Sequence, residues 1–110
     1  MIETRFPYDG PEELLPDVIA ALERVVDPEV GLNIVDVGLV YGVRVAEGRM
    51  DVDITMTSAA CPVIDVIVED AEERLDRAMP PDLLIHVEVV WEPPWTPARM
   101  SDRAKAAMGW

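Results

Sequence analysis

A chain of 110 residues, half of them hydrophobic and 28% charged, is long enough to bury one core and too apolar to stay disordered. Its 22 Asp and Glu against 9 Lys and Arg leave a formal charge of −13, which opposes binding to nucleic-acid phosphates or anionic lipid, since both rely on clustered Lys and Arg. One cysteine excludes an intrachain disulfide framework, and the CxxC pairs of zinc ribbons and thioredoxin-like motifs are missing.

The first ten residues, MIETRFPYDG, hold no apolar targeting core, and no apolar stretch is long enough to cross a bilayer. A cytoplasmic, reducing setting is therefore expected. Residues 1–12 read as an irregular N-terminal arm on a single domain spanning 1–110. From Leu15 the pattern turns helical, with Leu15, Val18, Ile19, Leu22, Val25 and Val26 recurring at three- and four-residue spacing. Pro16 suits the first helical position, and Asp27-Pro28 predicts the end of the helix.

The stretch DPEVGLNIVDVG, residues 27–38, reads as a connection punctuated by Gly31, Asn33 and Gly38. It carries Asp27, Glu29 and Asp36, and is either a plain link or a functional loop. Two alternating runs follow. Leu39, Tyr41, Val43 and Val45 are expected to share one face of a strand. Met50, Val52, Ile54 and Met56 are expected to share one face of the next, with Asp51, Asp53, Thr55 and Thr57 opposite. AEGR between them is a hairpin-length loop with a glycine. Such alternation predicts a sheet covered on one side only.

Residues 62–78 read as a helix with a stripe of Ile64, Ile67, Val68, Ala71, Leu75 and Ala78, its acidic residues forming a solvated face. PPD ends it. LLIHVEVVW is a third strand, parallel to the second, with Ile85, Val87, Val89 and Trp91 inward and His86 and Glu88 outward. Ser101 can cap a last helix closed by Gly109. The expected fold is a small two-layer α/β (α+β) sandwich in the order α-β-β-α-β-α, its mixed, mostly three-stranded sheet covered by helices on one face.

Cys61 stands where the second strand gives way to the helix opened by Pro62. If it is the N-cap, free amides and the positive end of the helix dipole favour its thiolate, and Thr57 and Ser58 could donate to it. Asp65 in the first turn works against this. The residues alone leave a reactive or ligating thiol and a buried structural one both open. A Cys–His enzyme would need His86, the single histidine, but the strand order puts the two at opposite ends of the sheet.

DPEVGLNIVDVGLVYGV (27–43), MTSAACP (56–62) and VVWEPPWTPARMSDRAKAAMGW (89–110) together resemble the metal–sulfur cluster assembly proteins of the PaaD-like and SufT-like group. The resemblance runs from about the first helix to the last residue. Longer PaaD proteins carry a cysteine-bearing C-terminal extension, so the likeness here is to the short, stand-alone form. It implies a carrier or adaptor in iron–sulfur protein maturation, working with the assembly machinery and apo-targets. It places the family's acidic motif on Asp27, Pro28 and Glu29, its second acidic block on Asp36 to Val40, its strand-end threonines on Thr55 and Thr57, and its cysteine on Cys61.

Clusters usually take four thiolates, and this chain has one. The expectation is a transient iron–sulfur cluster held through Cys61, with Asp36 and Glu29 as auxiliary ligands and a homodimer bringing two thiolates together. Asp27, Thr55, Thr57 and Ser58 would support it. The alternative is a metal-free adaptor docking through residues 91–100, with Pro93, Pro94 and Trp95 at the surface and Trp91 packed over the sheet.

Overall fold

The computed structural model describes residues 6–57 and 63–109. Its elements in chain order are β1 (Tyr8–Asp9), α1 (Leu15–Leu22), β2 (Val26–Asp27), β3 (Leu32–Asn33), α2 (Ile34–Val37), β4 (Val40–Ala46), β5 (Arg49–Ile54), α3 (Ile64–Ala78), β6 (Leu84–Val89) and α4 (Asp102–Met108), with 3₁₀ turns at Glu12–Leu14 and Pro97–Arg99.

β4 and β5 form an antiparallel hairpin whose two turn residues, Glu47 and Gly48, both take positive φ (52° and 77°). That is the mirror-image turn whose twist matches the strands it joins. β6 lies parallel to β5, with Leu84 opposite Arg49 and Val89 opposite Ile54. A return in the same direction requires a crossover, and α3 supplies it. The sheet order is β1-β4-β5-β6.

The period-two pattern then sorts the faces. Met50, Val52 and Ile54 are fully buried and, with Val43 and Val87, meet Ile67, Ala71 and Leu75 of α3 and Val18 and Leu22 of α1 in one core. α3 packs on both β6 and α1. The opposite face is wet: Arg44 pairs with Asp53 and Arg49 with Asp51, both at 2.9 Å, beside exposed His86 and Glu88. Among the described residues no helix is long and apolar enough to cross a membrane.

Four local expectations are corrected. The N-terminal arm is not all irregular: β1 pairs parallel with β4 and makes the sheet four-stranded, while Phe6 is buried. α1 stops at Leu22, five residues before Asp27, and its end tightens through short-range bonds from Arg24 N–H to Ala21 O and Val25 N–H to Leu22 O. Val26 and Asp27 instead pair with Asn33 and Leu32 in a small antiparallel ribbon, so the 27–38 connection contains β3 and α2. In β4, a register shift between Val40 and Gly42 turns Tyr41 off the core face and puts Val40 on it. A bulge inserts one residue and so reverses side-chain parity.

The fourth correction concerns the end of β6. Trp91 is 44% exposed rather than inward, because the strand ends at Val89 and its alternation no longer governs. α4, by contrast, is bounded as its sequence implies: Ser101 Oγ accepts from Ala104 N–H at 3.0 Å, and Gly109 closes it at φ 78°.

Candidate functional site

Asp27 sits on the inward side of β2 and has no exposed surface. Proline at 28 favours its extended backbone. Its Oδ1 accepts the Glu29 N–H at 2.9 Å, and its carbonyl accepts from Val30 and Gly31, so the acidic motif folds into a closed turn around its own first residue. Asp27 Oδ2 is buried with no hydrogen-bond partner among the described residues. A carboxylate oxygen left so is costly, and such groups call for a functional account. Glu29, two residues on, is exposed.

Asp36 lies in α2, on the next turn of chain. Asn33 caps that helix, accepting the Asp36 N–H at 2.9 Å while its own amide donates to Asp36 Oδ2 at 2.7 Å. Arg103 of α4 donates to the same Oδ2 from Nε and Nη2, at 3.1 and 2.5 Å. Burial pushes the Asp36 carboxyl up, but hydrogen bonds from Asn33, Arg103 and Ser101, with the charge of Arg103, outweigh it and hold the group below the usual aspartate value. Asp36 is thus an ion already engaged within the fold.

The C-terminal chain reaches Asp36 by crossing the α2–β4 junction. Tyr41 Oη donates to Pro93 O at 2.7 Å, Trp95 Nε1 donates to Val37 O at 2.8 Å, and the Arg99 guanidinium stacks 4.5 Å from the Tyr41 ring centroid. Ser101 N–H then donates to Asp36 O at 2.8 Å. Trp95, half-buried, packs against the core, whereas Pro93 and Pro94 are exposed. The bulge that turned Tyr41 outward is what provides this strap with a partner.

Thr55 and Thr57 follow the end of β5. Thr55 is buried, its N–H bonded to Leu39 O at 2.8 Å, and Thr57 is partly exposed. Thr55 was expected on the wet face with Asp51 and Asp53; β5 ends at Ile54, and beyond a strand's last residue its parity no longer holds. Cys61 and Ser58 lie outside the described residues. Among the described residues no group of three or more His, Cys, Asp or Glu is arranged to hold a metal ion. His86 stands opposite Asp51 in the strand register, toward the start of β5 rather than its end.

The structure therefore gathers Asp27, Glu29 and Asp36 into one ribbon-and-helix unit and ties Trp95 to that unit through Val37. Asn33, Tyr41, Arg99 and Arg103 were not singled out as site residues. The Ser101 cap gave the place of α4 and so of Arg103 within it, but not the carboxylate that Arg103 would meet.

The iron–sulfur cluster assembly protein family matches residues 16–89. The chain is similar to YitW of Bacillus subtilis, an Fe-S protein maturation auxiliary factor, with 42% identity over 99 residues that span 89% of this chain and 96% of that one. It is also similar to SufT of Staphylococcus aureus, likewise an Fe-S protein maturation auxiliary factor, with 44% identity over 77% of this chain and 97% of the relative. A crystal structure of a domain of unknown function, DUF59, from Bacillus anthracis superposes with a TM-score of 0.81 at 43% identity, covering 89% of this chain and 93% of that one. On these matches the chain belongs to the iron–sulfur cluster assembly protein family.

Proposed function

We propose that this protein is an auxiliary factor in the maturation of iron–sulfur proteins, passing a cluster to apo-targets through transient ligation by Cys61. The observation that carries the reading is the match over 89% and 77% of this chain with two relatives named as Fe-S protein maturation auxiliary factors. Its partners are the cluster assembly machinery on one side and apo-proteins on the other.

The cluster is cargo here, and the chain's chemistry suits a loose hold on it. One thiolate per chain falls short of the four that usually retain a cluster. A homodimer contributes two, and other molecules complete the set. Of the acidic candidates, Asp36 is held by Arg103 through Oδ2, and Glu29 is exposed. Asp27 keeps one buried oxygen without a partner among the described residues. Thr55, Thr57 and Ser58, which lie between β5 and Cys61 in sequence, supply supporting polar groups.

Anaerobic reconstitution with ferrous iron and sulfide tests this. The parent protein should bind iron and acid-labile sulfide and should activate an apo-enzyme that needs a cluster. Cys61→Ala should lose both. Full activation by Cys61→Ala would remove the carrier role and leave only an adaptor.

A further inference from the structure

Among the described residues the sheet ends on β6, which has a neighbouring strand on one side only. Leu84 N–H donates to Gly48 O and Val90 N–H to Ile54 O, so the even-numbered residues direct their backbone groups toward β5. Strand alternation then aims the N–H and C=O groups of Ile85, Val87 and Val89 at the open edge. Folded proteins commonly blunt such edges with lysine, proline, a bulge or extreme shortness. β6, LIHVEV, has six residues with no lysine or proline and an unbroken register, whereas the opposite edge strand β1 has only two residues.

Beside the first half of this edge is a cleft of about 410 Å³ between the flank of α3 and the chain entering β6. Glu72, Glu73, Asp76 and Asp82 rim it, and Leu84 and Ile85 contribute its apolar lining. Leu84 is 65% exposed, the most exposed large apolar side chain among the described residues. Glu73 is paired with Arg77 at 2.5 Å, while Glu72, Asp76 and Asp82 have no ion-pair partner among the described residues.

We propose that the β6 edge and this cleft dock an extended segment of a partner protein in which Lys or Arg alternates with apolar residues. The segment adds a strand to the sheet through Ile85, Val87 and Val89, sets its cations against Glu72, Asp76 and Asp82, and covers Leu84. Charge decides between this occupant and a second copy. A copy would bring another acidic chain to this already acidic rim, and like charge opposes its docking here, though not a pairing of chains elsewhere. The acidic cleft lies beside the start of β5, whereas Val89, the last edge residue of the dock, stands opposite Ile54 at the end of that strand, about 17 Å away. The inference does not depend on Cys61 carrying a cluster.

The test uses the full chain and three synthetic decapeptides: alternating Lys and Val, the same peptide with N-methylated amides, and alternating Glu and Val. The Lys-Val peptide should bind saturably by fluorescence anisotropy and should slow hydrogen exchange at the amides of Ile85, Val87 and Val89. Glu72→Lys with Asp76→Lys should weaken it by about tenfold or more. The same charge change placed elsewhere, Glu12→Lys with Asp17→Lys, should leave it within about twofold. The other two peptides should not bind. Equal binding by the N-methylated peptide, equal weakening by the two charge variants, or unchanged exchange at the edge would each overturn the proposal. So would a concentration-dependent dimer that Leu84→Lys abolishes, which would assign the edge to a second copy.

Discussion

Arg103 grips Asp36 across 67 positions of sequence, with two donors on a single carboxylate oxygen. The two partners differ in setting: the Asp36 side chain is 10% exposed and that of Arg103 is 71% exposed. The pair therefore closes the C-terminal strap from outside over a buried acid. Arg103→Leu should leave that acid without its counter-ion and loosen α4. Trypsin should then cut at Lys105 faster than in the parent, with the rest of the chain intact. An unchanged cutting rate would show that Ser101 and Trp95 hold the strap without Arg103.

The same carboxylate sets an acid limit. In the folded chain Asp36 titrates below the usual aspartate value, because its hydrogen bonds and Arg103 outweigh burial. In the unfolded chain it titrates at the usual value. Its stabilisation is thus complete above the usual value and is lost as pH falls through that value to the lower, folded one. Comparing urea midpoints at neutral and acid pH, the gap between parent and Asp36→Asn should narrow on the acid side. A gap that stays constant would contradict the sign.

Gly38 takes φ 85°, and a Cβ there would lie 2.3 Å from Arg99 O. Left-handed backbone and a collision with the strap's main chain penalise any side chain together. Gly38→Ala should cost at least about 2 kcal/mol in urea unfolding. A loss confined to a few tenths of that would mean the strap can move aside freely.

The tryptophans should separate cleanly. Trp95→Ala removes a half-buried ring and its bond to Val37 O, and should lower stability by about 2–3 kcal/mol. Trp91→Ala, at a side chain 44% exposed, should stay within about 0.5 kcal/mol. If Trp91→Ala also impairs activation of an apo-enzyme, its ring serves a partner rather than the fold.

Asp27 presents a conflict between stability and use. Asp27→Asn keeps an oxygen for the Glu29 N–H and replaces Oδ2, which is buried without a partner among the described residues. It should hold or raise the urea midpoint, by up to about 1 kcal/mol. Lower apo-enzyme activation at equal or greater stability would mark Asp27 as retained for function. Unchanged activation would reduce it to a turn-forming residue.

What could be read in advance was local or periodic. Met50, Val52 and Ile54 alternate because a strand has two faces, and Ser101 and Gly109 bound α4 because a helix end needs an acceptor and a residue at ease with positive φ. Asp27, Glu29 and Asp36 also stood out as acids in a connection. Their engagement did not, since Asp36 is defined by Arg103 and Asp27 by what fails to reach its Oδ2.

Tertiary structure alone decided the rest. β1 exists because β4 had an edge to offer, and Tyr41 faces the strap because one inserted residue reversed its parity. Trp95 rather than Trp91 became the packed ring because the chain had already left β6 when it placed Trp91. Propensity and periodicity act over a few residues, and these choices were made by groups brought together from across the chain.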